Sequence, residues 1–284
     1  AGNSADLDWS AIVDGGDTLR GTSTMRFENC GLYWLCVVLL LSIGRAVHAL
    51  PQDGLSMHYT FEPPTVNGDV VEDVSGTGND GTLQNGAQVQ GGVLVLDGAD
   101  SYLNTEPLEI RTGGVIPFTA IAQFRTDRAD NGPLWMWGDN AVPSASGSAE
   151  GPVGWRSTTA TFAAGFYQGG HFYADAEADY ADGEWHSVAQ VGDVDLGYLY
   201  LDGKQISSAA AGYVYGGPPY FLLGARTKNS GSELDDIEYF EGEIDNLLLY
   251  DRALAADEIL AITEESNAVS SRGKLATLWG ELRR

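Results

Sequence analysis

FEGEIDNLLLYDRALAADEI, residues 240–259, holds the plan of the chain. Ile244–Tyr250 is apolar at nearly every position, too short for a helix of its own and rich enough for a buried strand. Asp251-Arg252 ends it. Ala253–Thr263 then has helical composition, with Asp257 and Glu258 in the first turn, where the helix dipole favours negative charge. A long strand running into a short closing helix marks the end of a domain.

Upstream of it, the residues read as a succession of strands. Leu55–Glu62 alternates well enough for an opening strand, whereas Pro63–Gly91 is dominated by Gly, Asn, Asp, Thr and Pro and predicts a long loop. Gly92–Asp97 and Ser101–Thr105 predict strands around an Asp97-Gly98 hairpin turn. Phe118–Thr126 and Leu134–Gly138 follow, then a small, polar surface loop over Ala141–Gly151. Thr161–Gln168 and His171–Ala176 flank Gly169-Gly170, a hairpin pattern. Glu184–Val191, Leu196–Asp202 and Lys204–Ser207 come next, the last two joined by Asp202-Gly203, residues suited to a type I′ turn. Tyr220–Ala225 leads to the closing strand. No internal repeat of 20–50 residues is present.

Four of these stretches resemble one family, and in its order. DVSGTGNDGTL (73–83), LDGADSYL (96–103), WHSVAQ with LYLDGK (185–190, 199–204) and the closing F-x-G-x-I-D with Y-D-R-A-L-x-x-x-E-I are similar to laminin G-like (LamG-like) domains of the concanavalin A-like lectin/glucanase superfamily. The resemblance spans about Leu55–Thr263. It implies an all-β, antiparallel β-sandwich of jelly-roll type with one short C-terminal helix. Two positions depart from the pattern. Ala255 stands where a Ser or Thr usually caps the closing helix, and Leu248 where a polar residue is usual.

Residues 25–49, MRFENCGLYWLCVVLLLSIGRAVHA, read as a secretory signal peptide: the apolar run Gly31–Gly44 is short for a span, and Val47-His48-Ala49 is an A-x-A-like cleavage site. Residues 1–24 precede that methionine and are assigned no fold, as a start-site or fragment artefact. The expected organisation is thus leader 1–24, signal 25–49, jelly roll 50–265 and a basic amphipathic tail 266–284, in which Leu275, Leu278, Trp279 and Leu282 fall at helical spacing. Both cysteines, Cys30 and Cys36, leave with the signal, so no disulfide is expected in the exported chain. From Leu50 onward 35 Asp and Glu face 12 Lys and Arg, a net of −23. Such a surface repels nucleic acid and anionic lipid.

Three chemistries were weighed against these residues. Retaining glycosidases of the superfamily use E-x-D-x-x-E on one strand face, with carboxylates about 5–5.5 Å apart. Here Glu243 and Asp245 begin the pattern and Leu248 breaks it, so no enzyme is expected. Zinc would need His58, His171 and His186, which are scattered. Calcium needs 6–8 oxygen ligands. The resemblance implies a structural Ca²⁺ at the sandwich rim, with Glu62, Asp73 and Asp245 as candidate ligands, and the acidic run Glu233, Asp235, Asp236, Glu238 offers a second place.

Glycan binding would rest on aromatics. Trp135, Trp137, Trp155, Tyr167, Phe172, Tyr173 and Trp185 cluster in the middle third, mostly as core; Trp185 is expected buried. Trp155, between Gly154 and Arg156, reads as an exposed ring in a loop, and Tyr213, Tyr215 and Tyr220 as a second rim. The expectation is a secreted, non-catalytic module that binds an extracellular glycan or protein. The alternative is a structural or adhesive surface component, with an exposed apolar patch around Leu248.

Overall fold

A computed structural model describes residues 50–108, 117–129, 132–138, 149–155, 161–167, 171–177, 180–210, 220–227 and 237–267. All belong to one unit, His48–Arg284. The leader, the signal and most of the tail (268–284) lie outside the described residues. In chain order the strands are β1 (Leu55–Tyr59), β2 (Val66–Asn67), β3 (Val70–Val71), β4 (Gly81–Gln84), β5 (Gln88–Gln90), β6 (Val93–Asp97) and β7 (Tyr102–Thr105). Then come β8 (Phe118–Arg125), β9 (Pro133–Gly138), β10 (Ala149–Trp155), β11 (Phe162–Tyr167), β12 (His171–Asp175) and β13 (His186–Gly192). The series ends with β14 (Leu196–Leu201), β15 (Lys204–Ala210), β16 (Tyr220–Leu223), β17 (Ala225–Thr227), β18 (Ile237–Tyr239) and β19 (Glu241–Tyr250). Helix α1 covers residues 256–267. Among the described residues no helix is long and apolar enough to cross a membrane.

Two antiparallel sheets make the sandwich. Among the described residues one has eight strands, ordered β15-β14-β13-β8-β19-β6-β5 with β1 also on β19; the other has nine, β12-β11-β10-β9-β16-β7-β4-β3-β2. Between them lies a core that includes Trp135, Trp137, Phe124, Phe162, Phe221 and Phe240. One polar group is built into that core: Trp135 Nε1 donates to Gln190 Oε1 at 3.0 Å, and Gln190 Nε2 donates to the carbonyls of Gly151 and Gly165. Its polar atoms are satisfied, which is what makes a buried amide tolerable.

β19 explains its own apolar run. A bulge between Asp245 and Leu248, with Asn246 at φ +48°, shifts the alternation by one residue. Ile244, Leu247 and Leu249 therefore point into the main core. Leu248 and Tyr250 point the other way, into a second cluster with Ile121, Val191, Leu254, Ile259 and Ile262. That cluster lies between the eight-stranded sheet and α1. Leu248 is 0 % exposed and packs with Ile259 and Ile262 of α1, so of the two readings of this position, covered by a neighbouring element or part of a partner surface, the first holds; Leu275 and Trp279 of the tail lie outside the described residues.

The start of α1 shows how the missing cap is offset. Glu258 Oε2 accepts the Ala255 N–H at 2.9 Å, the reciprocal half of a capping box, and the same carboxylate holds Arg252 through both oxygens. Three local readings are corrected. The Pro63–Gly91 stretch is no plain loop, since β2–β5 run through it in pieces of two to four residues. Asp97-Gly98 turns the chain from one sheet to the other rather than closing a hairpin, because β6 pairs with β5 and β19 while β7 pairs with β4 and β16. Trp185 is half-buried, under the Arg125 guanidinium at 5.2 Å. The Asp202-Gly203 turn has φ +50° and +75°, the backbone a type I′ turn requires.

Candidate functional site

Two of the three candidate metal ligands come together. β19 forks at its bulge: β6 pairs with Glu241–Ile244 and β1 with Leu247–Tyr250. In the fork lies a cavity of about 210 Å³ lined by Glu62, Asp245, Glu265, His58, Thr60 and Asn246, among others. Its wall is tied to the end of α1. His58 Nε2 meets Asn246 Oδ1 at 2.9 Å, Asn246 Nδ2 donates to Ser266 Oγ, and Gln123 Nε2 donates to Asn267 Oδ1 at 2.8 Å. Burial lowers the His58 pKa, against the opposing pull of the Asn246 hydrogen bond and the Asp73 charge.

Asp73, the third candidate, is corrected. Its Oδ1 accepts the N–H groups of His58 and Ser75, and its Oδ2 accepts the hydroxyls of Ser75 and Thr77 and the Asn79 N–H, all within 2.8–3.0 Å. The His58, Ser75 and Asn79 donors, with Thr77 sharing its one hydroxyl hydrogen between Asp73 and the Ser56 carbonyl, occupy the carboxylate within its own turn. Burial would raise its pKa, but these hydrogen bonds outweigh burial and hold it below the ordinary value. Calcium takes 6–8 oxygens, and among the described residues no group of three or more His, Cys, Asp or Glu side chains is placed to hold a metal. In the second acidic run, Glu238 is bound to Arg226 at 2.6 Å; Glu233, Asp235 and Asp236 lie outside the described residues. His58 and His186 do not share a site. His186 sits between Asp202 (3.0 Å) and Asp182 (3.1 Å), apart from the His58 network, and the side chain of His171 is outside the description.

The candidate stacking rings divide differently from expectation. Trp155 is 3 % exposed and belongs to the core. It ends β10, where Gly154 at φ +144° lies so close to β9 that a Cβ there would come within 2.6 Å of Pro133. The indole turns inward, edge-on to Phe162 at 4.8 Å and to Phe124 of the opposite sheet at 6.0 Å. Tyr213 and Tyr215 lie outside the described residues. Tyr220 is half-buried on the outer face of the nine-stranded sheet, where with Tyr239 it packs on a small cluster of Tyr102, Met136, Leu222 and Ala225. Burial raises the pKa of Tyr102 and Tyr239, helped by each ring's neighbour: Tyr239 for the first, Asp100 for the second.

Beside the tyrosines the same face carries amides. Gln84 Nε2 donates to Asn104 Oδ1 at 2.9 Å, both side chains part-exposed, and Thr82 is exposed on the same strand as Gln84. At the far side of the sheet, part-exposed Tyr173 lies against Gly165 and Pro152; a Cβ at Gly165 would stand 3.2 Å from its ring and 2.9 Å from the proline. Tyr102, Tyr239, Asn104 and Gln84 were not singled out from the sequence. The alternation of Tyr102 and Asn104 about core Leu103 carries their shared face, but that no helix lies over the face among the described residues shows only in the fold.

The family model for laminin G-type domains of the concanavalin A-like lectin/glucanases superfamily matches residues 97–260, more than half of the chain. The chain belongs to that superfamily. No curated protein matches it in sequence. Among solved structures it is similar to domain 4 of AbnA, an extracellular arabinanase from Geobacillus stearothermophilus in complex with arabinotriose, at 15 % identity and TM-score 0.53, over 74 % of this chain and 98 % of that one. It is also similar to Trypanosoma rangeli sialidase in complex with sialic acid (18 % identity, TM-score 0.57, 78 % of this chain), of which it spans only 34 %. The binding domain of Paraclostridial Mosquitocidal Protein 1 is a third, at 16 % identity and TM-score 0.53, over 75 % of this chain and 52 % of that one. At these identities the likeness is one of fold.

Within the superfamily the hydrolase pattern can now be tested on geometry. Glu243 is bound to Arg125, Asp245 opens on the fork cavity, and Leu248 lies beneath α1. The β19 bulge falls between the second and third positions of the pattern and brings them onto one face, Asp245 opposite Gln123 and Leu248 opposite Ile121, but the third position is a leucine.

Proposed function

We propose that the chain is a secreted, non-catalytic recognition module that binds a glycan across the outer face of its nine-stranded sheet. The observation that carries this reading is the half-buried pair Tyr220 and Tyr239 beside the amides of Gln84 and Asn104 on a sheet face with no helix over it among the described residues. Flat rings fixed in a sheet pack against the apolar face of a sugar at little entropic cost, and amides both donate and accept to hydroxyl groups. The arabinotriose bound by the arabinanase domain is in keeping with this, because this chain covers nearly all of that domain. A catalytic role finds less support, since the third carboxylate of the superfamily pattern is replaced by a buried leucine, Leu248.

A glycan array run in calcium and again in EDTA tests the proposal. Binding to one class of sugar is expected, weakened about tenfold or more by Tyr220→Ala while the protein stays folded by circular dichroism. A blank array would reject the reading in favour of the structural or adhesive alternative. Binding that vanishes in EDTA would bring calcium back, with Glu62 and Asp245 as the carboxylates to mutate.

A further inference from the structure

The nine-stranded sheet has an unusual composition for the candidate binding face of a protein. Its strands β2, β3, β4, β7, β9, β10, β11, β12 and β16 contain no lysine and no arginine. Their charged residues are acidic, Glu150 and Asp175, with His171 beside them. Exposed Asp100 and Glu106 flank β7. Arg226, on the β17–β18 hairpin that carries Tyr239, is bound to Glu238, so its charge is already matched. The whole chain from Leu50 is strongly acidic as well.

A carboxylate-bearing sugar is held through charge-assisted hydrogen bonds, for which the arginine fork is best shaped. This face offers rings, amides and a threonine hydroxyl, set in a negative field that repels anions. We infer that it takes uncharged oligosaccharides and turns away glycans bearing sialic or uronic acids. The inference rests on the glycan reading above and narrows it to a ligand class.

The test is a glycan array holding neutral glycans together with their sialylated or uronic counterparts, followed by calorimetric titration of the best binder and its matched partner. The expected binders are uncharged. At low salt the acidic counterpart binds at least about tenfold more weakly, and the gap narrows as salt screens the repulsion. Thr82→Lys, which adds a cation at an exposed position of β4, narrows it further without moving the melting temperature. An acidic glycan bound as well as its neutral counterpart would overturn the inference and leave the glycan reading standing, with Arg111, Arg156 and Lys228, outside the described residues, the cations to mutate next. An array blank to both kinds would overturn both.

Discussion

On the eight-stranded sheet Leu248, Tyr250 and Ile121 disappear under Ile259 and Ile262 of α1, whereas on the nine-stranded sheet Tyr220 and Asn104, with Tyr239 of the neighbouring β17–β18 pair, stay half-exposed. Both outer faces carry apolar side chains on alternate positions, yet among the described residues only one has a helix to cover them. On the proposed reading the difference separates two jobs. The covered face adds a second hydrophobic layer and works for stability; the other adds little stability and keeps its rings for a ligand.

Leu248→Ala is the sharpest way to break that comparison. It should cost about 3 kcal/mol in urea unfolding, because it opens a cavity under α1, while Tyr220→Ala on the open face should cost about 1 kcal/mol. Equal losses would mean that the two faces are not differently used. Next in size is Asp73→Ala, at the seam where β1 meets the turn that follows β3. It strands several donors and should cost about 2 kcal/mol. Because the folded Asp73 titrates below its unfolded value, its contribution is full above about pH 4–5 and is lost as pH falls through the folded pKa. Acid melts of the wild type and Asp73→Ala should therefore converge; curves that stay parallel would remove Asp73 from that role.

A smaller effect of opposite sign concerns the turn end of the eight-stranded sheet. The hydrogen bond to Asp202 raises the His186 pKa, with burial opposing and Asp182 assisting. The stabilisation is complete below about pH 6.5 and is lost as pH rises through the folded value. Since both carboxylates are about half-exposed, the loss should stay within about 1 kcal/mol. Thermal melts from pH 6 to 9 should show it in the wild type and not in His186→Gln. Last comes a gain: Ala255→Ser completes the box that Glu258 half-forms and should add about 0.5–1 kcal/mol to the covered face alone.

What could be read in the sequence followed the range of the forces involved. β19, α1 and the β14–β15 turn were legible because apolar runs, first-turn acids and Asp-Gly act on neighbours a few residues away. Trp155 misled because its partners Phe124 and Phe162 come from other strands, and Gly154 beside it looks like loop until the close approach of β9 explains it. Strands β2–β5 were hidden among glycines, since pieces of two to four residues hold only through distant pairing. Glu62 and Asp245 line one cavity at the fork, whereas the hydrogen bonding of Asp73 depends on a turn whose geometry no spacing rule states.

The position of β19 in the chain has a consequence for how the molecule is made. It follows every strand it joins, and three of them, β1, β6 and β8, have it as a neighbour. Until it arrives their backbone edges stand unpaired, open to wrong partners. A nascent chain therefore keeps its eight-stranded sheet in three parts, β15-β14-β13-β8, β6-β5 and β1, until residue 250 has been synthesised, and the closing of that sheet is a late event that no shorter chain can complete.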